Sequence, residues 1–313
     1  MKSVLKKIIK NIDEDFFIRS RLTKRDCNIS IQKKSDFLKK NGYVIFDHLV
    51  DSPIIDKLVD DLNKAANKFK FRKPLLAQSR VDRNKHKELI SNNFLLSRSD
   101  LTKYNIEAQF NTGETLADFV GREKPPSLEF EMPDKKDFYD VWLDPVILKT
   151  VEMYFGFTPI LAEAFIRRNY PSEFVVMNHG WHRDKNHEKH LLKGFIFLND
   201  CNIENGPHHY LEGTHKLEGY SKKGYYSDDE IEELKRINNI KEIISIVPKG
   251  TIIIEDTRGL HKAGIPIKGF RDLGFSTFMP NRLIKKRNVD YQISNDTYNK
   301  ISNDKKRWLN VQP

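Results

Sequence analysis

The sequence predicts a mainly β chain with flanking α-helices, built as a sandwich or barrel, and two observations carry that expectation. Beyond Pro159 short apolar and β-branched runs alternate with turn residues: Leu161 to Arg167, Glu173 to His179, Lys193 to Leu198, His208 to Leu211, Ile243 to Val247, Thr251 to Glu255 and Phe270 to Met279. Many short strands separated by turns form a sandwich or a barrel. Ahead of Pro159 the apolar residues recur instead at helical spacing, which sets a helical part over about 1–156 before a strand-rich core over about 157–284. The whole chain, 1–313, reads as one domain.

Taken in order, Met1 to Arg19 place Leu5, Ile9, Ile12 and Phe16 on one helical face and Lys6, Lys7 and Lys10 on others. The acidic Asp13-Glu14-Asp15 argues against a transit peptide or a membrane-surface helix, so packing onto the body of the protein is expected. Ser35 is expected to cap a short helix through Lys39-Lys40 that stops at Gly42, followed by a strand Tyr43-Val44-Ile45-Phe46. Ser52 and Pro53 mark the cap and first position of the next helix, whose Ile55, Leu58, Val59 and Leu62 form an apolar stripe. From Lys70 to Lys136, Gly113, Gly121 and Pro125-Pro126 interrupt charged and aromatic patches; a substrate pocket is expected to draw on this region. Asp144-Pro145 repeats the cap-and-proline device for a helix with Val146, Ile147, Val151 and Tyr154 inward and Gly156 at its end. Ser227 and Glu230 make a capping box for a helix Asp228 to Leu234. That helix lies in an insertion, Lys216 to Lys241, which is a candidate lid; a surface excursion is the competing expectation. The Lys-rich tail after Ile284 reads as surface.

Composition narrows the function. Hydrophobic residues at 38% and charged residues at 31% describe a folded chain with a heavily charged surface. No run approaches the ~18 apolar residues of a membrane span, and the N-terminus lacks a secretory signal, so a cytoplasmic location is expected. Cys27 and Cys201 are too few for a disulfide framework and lack zinc-site spacing, which makes both inert buried thiols. The net charge of +10 invites a nucleic-acid reading, but the basic residues are scattered and no nucleic-acid module is visible. An anionic small-molecule substrate uses that charge more economically.

The chemistry centres on Trp181-His182-Arg183-Asp184. On extended backbone, residues i and i+2 project to one side, so a strand continuing Glu173-Phe174-Val175-Val176-Met177 aims His182 and Asp184 at one ion. An H-x-D pair arises often by chance, and a packed core histidine is its commoner role. A third ligand alters that balance: His261, in Gly259-Leu260-His261-Lys262-Ala263-Gly264, also follows an apolar run. Two histidines and a carboxylate form the facial triad of non-haem Fe(II) oxygenases, which leaves three positions open. A closed zinc site would bring a fourth protein ligand. His187 and His190 fall in a polar connection and read as solvated, and neither they nor His208, His209 and His215 are taken as a second metal site.

Three ordered blocks resemble the phytanoyl-CoA dioxygenase family of Fe(II)- and 2-oxoglutarate-dependent oxygenases. The first is Trp181-His182-Arg183-Asp184, then the strand Lys193 to Asp200, Glu204-Asn205-Gly206-Pro207 and Glu212-Gly213-Thr214-His215-Lys216. The second runs from Lys249-Gly250-Thr251 through Asp256-Thr257-Arg258-Gly259-Leu260-His261, and the third is Gly269-Phe270-Arg271. Lys40-Asn41-Gly42-Tyr43-Val44-Ile45 is a weaker match to the family's N-terminal segment. The resemblance implies a double-stranded β-helix of the jelly-roll, cupin-like kind and a dioxygenase that hydroxylates a small organic substrate. It implies Fe(II) on His182, Asp184 and His261, with 2-oxoglutarate and dioxygen taking the open positions. Arg271 would then pair with the distal carboxylate of 2-oxoglutarate, which a planar guanidinium grips at two points. His215, in the family's turn position, is expected to make a structural hydrogen bond, and Trp181 to pack. Halogenating relatives replace the carboxylate ligand with a small residue; Asp184 is retained, which points to hydroxylation. Two rivals remain, a non-catalytic metal-binding or scaffold member of the same fold and a basic nucleic-acid-binding protein.

Overall fold

The computed structural model describes residues 24–67, 71–72, 75–82, 98–131, 133–173, 175, 177–184, 191–217, 224–280 and 291–309. The expected helix at Met1 to Arg19, and His187 and His190, lie outside the described residues.

Helix α1 (Lys24–Asn41) runs well N-terminal of Ser35, which sits fully buried in mid-helix and is not a cap. A serine signals a helix start only where the chain before it is not already helical. Gly42 does end the helix: its φ is +88°, its N–H donates to Leu38 O at 2.8 Å, and a Cβ here would strike the Tyr210 hydroxyl. Strand β1 (Tyr43–Phe46) follows, then α2 (Ser52–Asn67), which buries Ile55, Leu58 and Leu62. The Lys70 to Lys136 region yields α3 (Arg98–Lys103), α4 (Leu116–Glu123) and a strand the sequence did not announce, β2 (Ser127–Glu131). After α5 (Lys136–Trp142) comes α6 (Pro145–Phe155), where the Asp144 carboxylate accepts from Val146 and Ile147 N–H and Gly156 closes the end at φ +76°.

The strands that follow are β3 (Ile160–Asn169), β4 (Trp181–His182), β5 (Leu192–Phe197), β6 (His208–Leu211) and β7 (Tyr225–Tyr226). Helix α7 (Asp228–Asn238) precedes β8 (Glu242–Ile244), β9 (Ile252–Glu255), β10 (His261–Ala263) and β11 (Arg271–Met279). Two antiparallel sheets form, one in the order β1-β9-β5-β11-β3-β2 and one in the order β7-β4-β10-β6-β8. This is the mainly β, jelly-roll architecture with flanking helices that the sequence predicts. Alternation along the larger sheet divides its faces. Ile166, Leu192, Ile196, Ile252 and Ile254 point outward into a core with Leu58, Phe138, Trp142 and Ile147 of the helices. Phe165, Phe195, Phe197, Ile253, Leu273 and Phe275 point inward, towards the smaller sheet.

Two further expectations change. The run Glu173 to His179 is not a strand, since Met177–His179 is a 3-10 turn and residues 174 and 176 lie outside the described residues. Apolar, β-branched composition makes a strand only where a neighbour supplies a ladder. The tail is not all surface: Tyr291, Ile293, Ile301, Trp308 and Leu309 are buried, and Leu161 N–H donates to Trp308 O at 2.8 Å. Its lysines masked a few well-spaced apolar residues, while residues 281–290 lie outside the described residues. The capping box of α7 forms as expected, and the helix itself packs as a buttress. Its Ile231 and Leu234 pack on Trp181, Leu211, Tyr226 and Leu260, on the face of the smaller sheet turned away from His182 and His261.

Candidate metal centre

Strand β10 lies between β4 and β6, and this pairing sets His261 directly opposite His182. Asp184 follows β4 by two residues, and its N–H donates to Thr257 O at 2.9 Å. One ligand atom from each of His182, Asp184 and His261 lies within 4.8 Å of the others, and no other such group occurs among the described residues. His182 Nδ1 is 2.8 Å from Gly180 O and His261 Nδ1 is 2.9 Å from Gly259 O. A carbonyl can only accept, so each Nδ1 carries the proton and each Nε2 is left for an ion.

Electrostatics favour the ligand forms. Burial pushes the imidazole of His182 below its ordinary 6.5 and that of His261 well below it, so both are neutral bases. Burial would raise Asp184, but the Lys193 ammonium beside it holds it below its ordinary 3.8, so the carboxylate stays ionised. Two imidazoles and one carboxylate converging from one side fit an Fe(II) facial triad.

The ligands are fixed by side chains the sequence reading passed over. Arg183, between two ligands, points to the other face of the strand and donates to Arg258 O and Thr214 O, both at 2.9 Å. Thr214 Oγ1 donates to Leu211 O at 2.6 Å and accepts from Leu260 N–H at 2.8 Å, next to His261. The buried Asp256 carboxylate accepts from Arg258 Nε at 2.8 Å and from the Tyr154 hydroxyl, which shapes the turn carrying Thr257. Arg183, Thr214, Asp256 and Arg258 lie inside the motif blocks, so their positions, though not their contacts, were visible, whereas Tyr154 comes from α6. His215 makes the expected structural hydrogen bond, to Lys39 O at 3.1 Å, and Trp181 packs at 3% exposure.

Arg271 opens β11 on the inward face and is 1% exposed. Among the described residues its Nη1 and Nη2 have only distant neutral partners, Gly264 O and Asn169 Oδ1, both at 3.5 Å, and its Nε has none. Burial lowers it to about 10. The next residue shows the contrast: Asp272, on the outer face, binds Arg168 at two points, both 2.7 Å. A buried guanidinium without its carboxylate is a socket for an anion.

Beside the triad stands His208, its ring 5.7 Å from that of His261 and 5.1 Å from Phe195. Its Nε2 lies 2.8 Å from Glu255 Oε2. Burial pushes Glu255 well above its ordinary value and His208 well below, so a neutral acid donates to a neutral imidazole. His209 faces the other way and pairs with Glu242 at 2.7 Å. Neither histidine joins the triad. Further along the inward face Phe165 stacks on Phe275 at 4.8 Å, with the guanidiniums of Arg72 and Arg167 over these rings and Arg167 paired with Glu129. Arg72 and Glu129 bring the Lys70 to Lys136 region to this wall. The thiol of Cys201 is buried and raised to about 11, an inert form; the side chain of Cys27 lies outside the description.

The family model of Phytanoyl-CoA dioxygenase (PhyH) matches residues 38–265. No curated protein matches the chain. Among solved structures, the epimerase SnoN in complex with Fe3+, alpha ketoglutarate and nogalamycin RO is similar with a TM-score of 0.53 at 11% identity, over 81% of this chain and 84% of that one. The non-heme alpha ketoglutarate dependent carbocyclase SnoK from nogalamycin biosynthesis gives 0.51 at 12% identity, over 84% and 93%. At such identities the likeness is one of fold. The matched stretch contains His182, Asp184 and His261, while Arg271 stands just beyond it. No described helix is long and apolar enough to cross a membrane. The match spans well over half of the sequence and all three converging ligands, and on that ground the chain belongs to the phytanoyl-CoA dioxygenase (PhyH) family.

Proposed function

We propose that this protein is an Fe(II)- and 2-oxoglutarate-dependent dioxygenase that hydroxylates a C–H bond of a small organic molecule, with residues 1–313 working as one domain. His182, Asp184 and His261 hold the iron through two neutral Nε2 atoms and one carboxylate. Arg271 takes the distal carboxylate of 2-oxoglutarate. The observation that carries this reading is a three-ligand site on one sheet and, from the other, a buried guanidinium that no carboxylate neutralises among the described residues.

When bound, iron with 2-oxoglutarate and dioxygen supplies the oxidising power; the chain supplies position and dryness. The carbonyls of Gly180 and Gly259 fix both imidazole tautomers. Phe165, Phe195 and Phe275 line the space with apolar surface and keep water from it. Arg72 and Arg167, over the Phe165–Phe275 stack, bring positive charge beside this space, which suits an anionic substrate.

The test is anaerobic loading with Fe(II) and 2-oxoglutarate, followed by oxygen. A metal-to-cosubstrate charge-transfer absorbance, and succinate formed without added substrate, are expected. A protein that gives neither is a non-catalytic member of the fold, and the proposal falls.

A further inference from the structure

We propose that Lys193 is a positioning residue that confines Asp184 to a single metal-facing oxygen; this rests on the metal-centre reading above. The sequence contains the oddity that prompts it. In Leu192-Lys193-Gly194-Phe195-Ile196-Phe197 a lysine interrupts an apolar strand, and that strand is interior to its sheet, between β9 and β11. A charge brought into such a strand needs a partner.

Register offers one at hand, because Lys193 stands opposite Glu255 of β9. Glu255 is already bonded to His208 at 2.8 Å. Lys193 instead shares the inward face with Phe195 and spans the barrel to the other sheet, where its Nζ lies 2.7 Å from Asp184 Oδ2. The two side chains are 27% and 20% exposed, so water screens the pair only in part. Among the described residues no other ion pair involves a member of the triad.

The consequence concerns how many positions the metal keeps. A carboxylate can bind an ion through one oxygen or through both. A facial triad has three free positions only when the carboxylate uses one, and 2-oxoglutarate with dioxygen needs all three. With the ammonium ion-paired at 2.7 Å beside Oδ2, Oδ1 is the oxygen left for iron. The same ammonium repels the incoming cation, so Lys193 trades some metal affinity for an open coordination sphere.

This gives a signature that damage to the fold does not imitate. Calorimetric titration with Ni(II), then with 2-oxoglutarate, reads both steps without turnover. Lys193→Met is expected to bind Ni(II) at least as tightly as the wild type, and the Ni(II)-loaded variant to bind 2-oxoglutarate about 10-fold more weakly. Lys193→Arg, which keeps the charge, is expected to restore most of that loss. Unchanged 2-oxoglutarate affinity in Lys193→Met, parallel weakening of both ligands, or an arginine variant as weak as the methionine one overturns the proposal. A wild-type protein that binds Ni(II) but no 2-oxoglutarate refutes the dioxygenase reading itself, which is a different result.

Discussion

His182 and His261 face one another across the β4–β10 pairing, with ring centroids 4.2 Å apart. Each ring is tied by Nδ1 to a carbonyl two residues earlier in its own segment, so the two free Nε2 atoms depend on backbone that pairing alone aligns. An ion is the natural bridge between two neutral bases held this way, and Asp184 supplies the counter-charge.

Replacing Asp184 with alanine removes a ligand and that charge together. Asp184→Ala is expected to weaken Fe(II) binding by at least about 10-fold and to abolish hydroxylation. Metal titration and product analysis check it. An iron-loaded variant that still hydroxylates contradicts the triad.

Arg271→Lys keeps a charge but loses the fork. We expect 2-oxoglutarate to bind more weakly by roughly 1.5–3 kcal/mol with metal binding nearly unchanged. Titrating the charge-transfer absorbance in both proteins measures it, and equal affinities would mean that another basic residue holds the cosubstrate.

Glu255 and His208 make a pH prediction. Unfolded, they titrate near their ordinary 4.5 and 6.5; folded, Glu255 is held protonated and His208 unprotonated. Above pH 6.5 the folded pair keeps one proton that the unfolded pair has lost, so stability falls as pH rises until Glu255 ionises. Between 4.5 and 6.5 each state holds one proton, and the pair contributes no slope. Below 4.5 the unfolded pair holds two, so stability falls as pH falls. Glu255→Gln removes the first effect and should flatten the decline above pH 6.5 by about 1.4 kcal/mol per pH unit. Denaturant unfolding of metal-free protein from pH 6.5 to 8 reads the difference; identical slopes would mean that the buried carboxyl is already ionised.

Trp308 tests the tail. At 1% exposure, beside Phe278 and bonded through its carbonyl to Leu161, it belongs to the main core. Trp308→Ala should cost about 3–5 kcal/mol in denaturant unfolding. An unchanged midpoint would return the tail to the surface.

The sequence by itself determined whatever depends on neighbours in the chain. Asp144-Pro145 and Ser227 with Glu230 cap their helices as read, because a cap is made within one turn. Short runs of strand-forming residues bounded by turns located β3, β5, β6, β9 and β11, since such composition is read within the run itself. His182, Asp184, His261 and Arg271 were legible as ligand-type residues in ordered blocks, and the fold brings all four to the space between the sheets.

Tertiary structure decided what depends on distant partners. Ser35 looks like a cap until the helix before it is seen, and Trp308 looks like surface until Leu161 is found beneath it. The pairs His208–Glu255 and Lys193–Asp184 join different sheets, and Arg271 is a bare cation only because no carboxylate reaches its end of the barrel among the described residues. Local propensity shapes the backbone within a few residues; which charges meet in a dry interior is settled only when the two sheets close on one another.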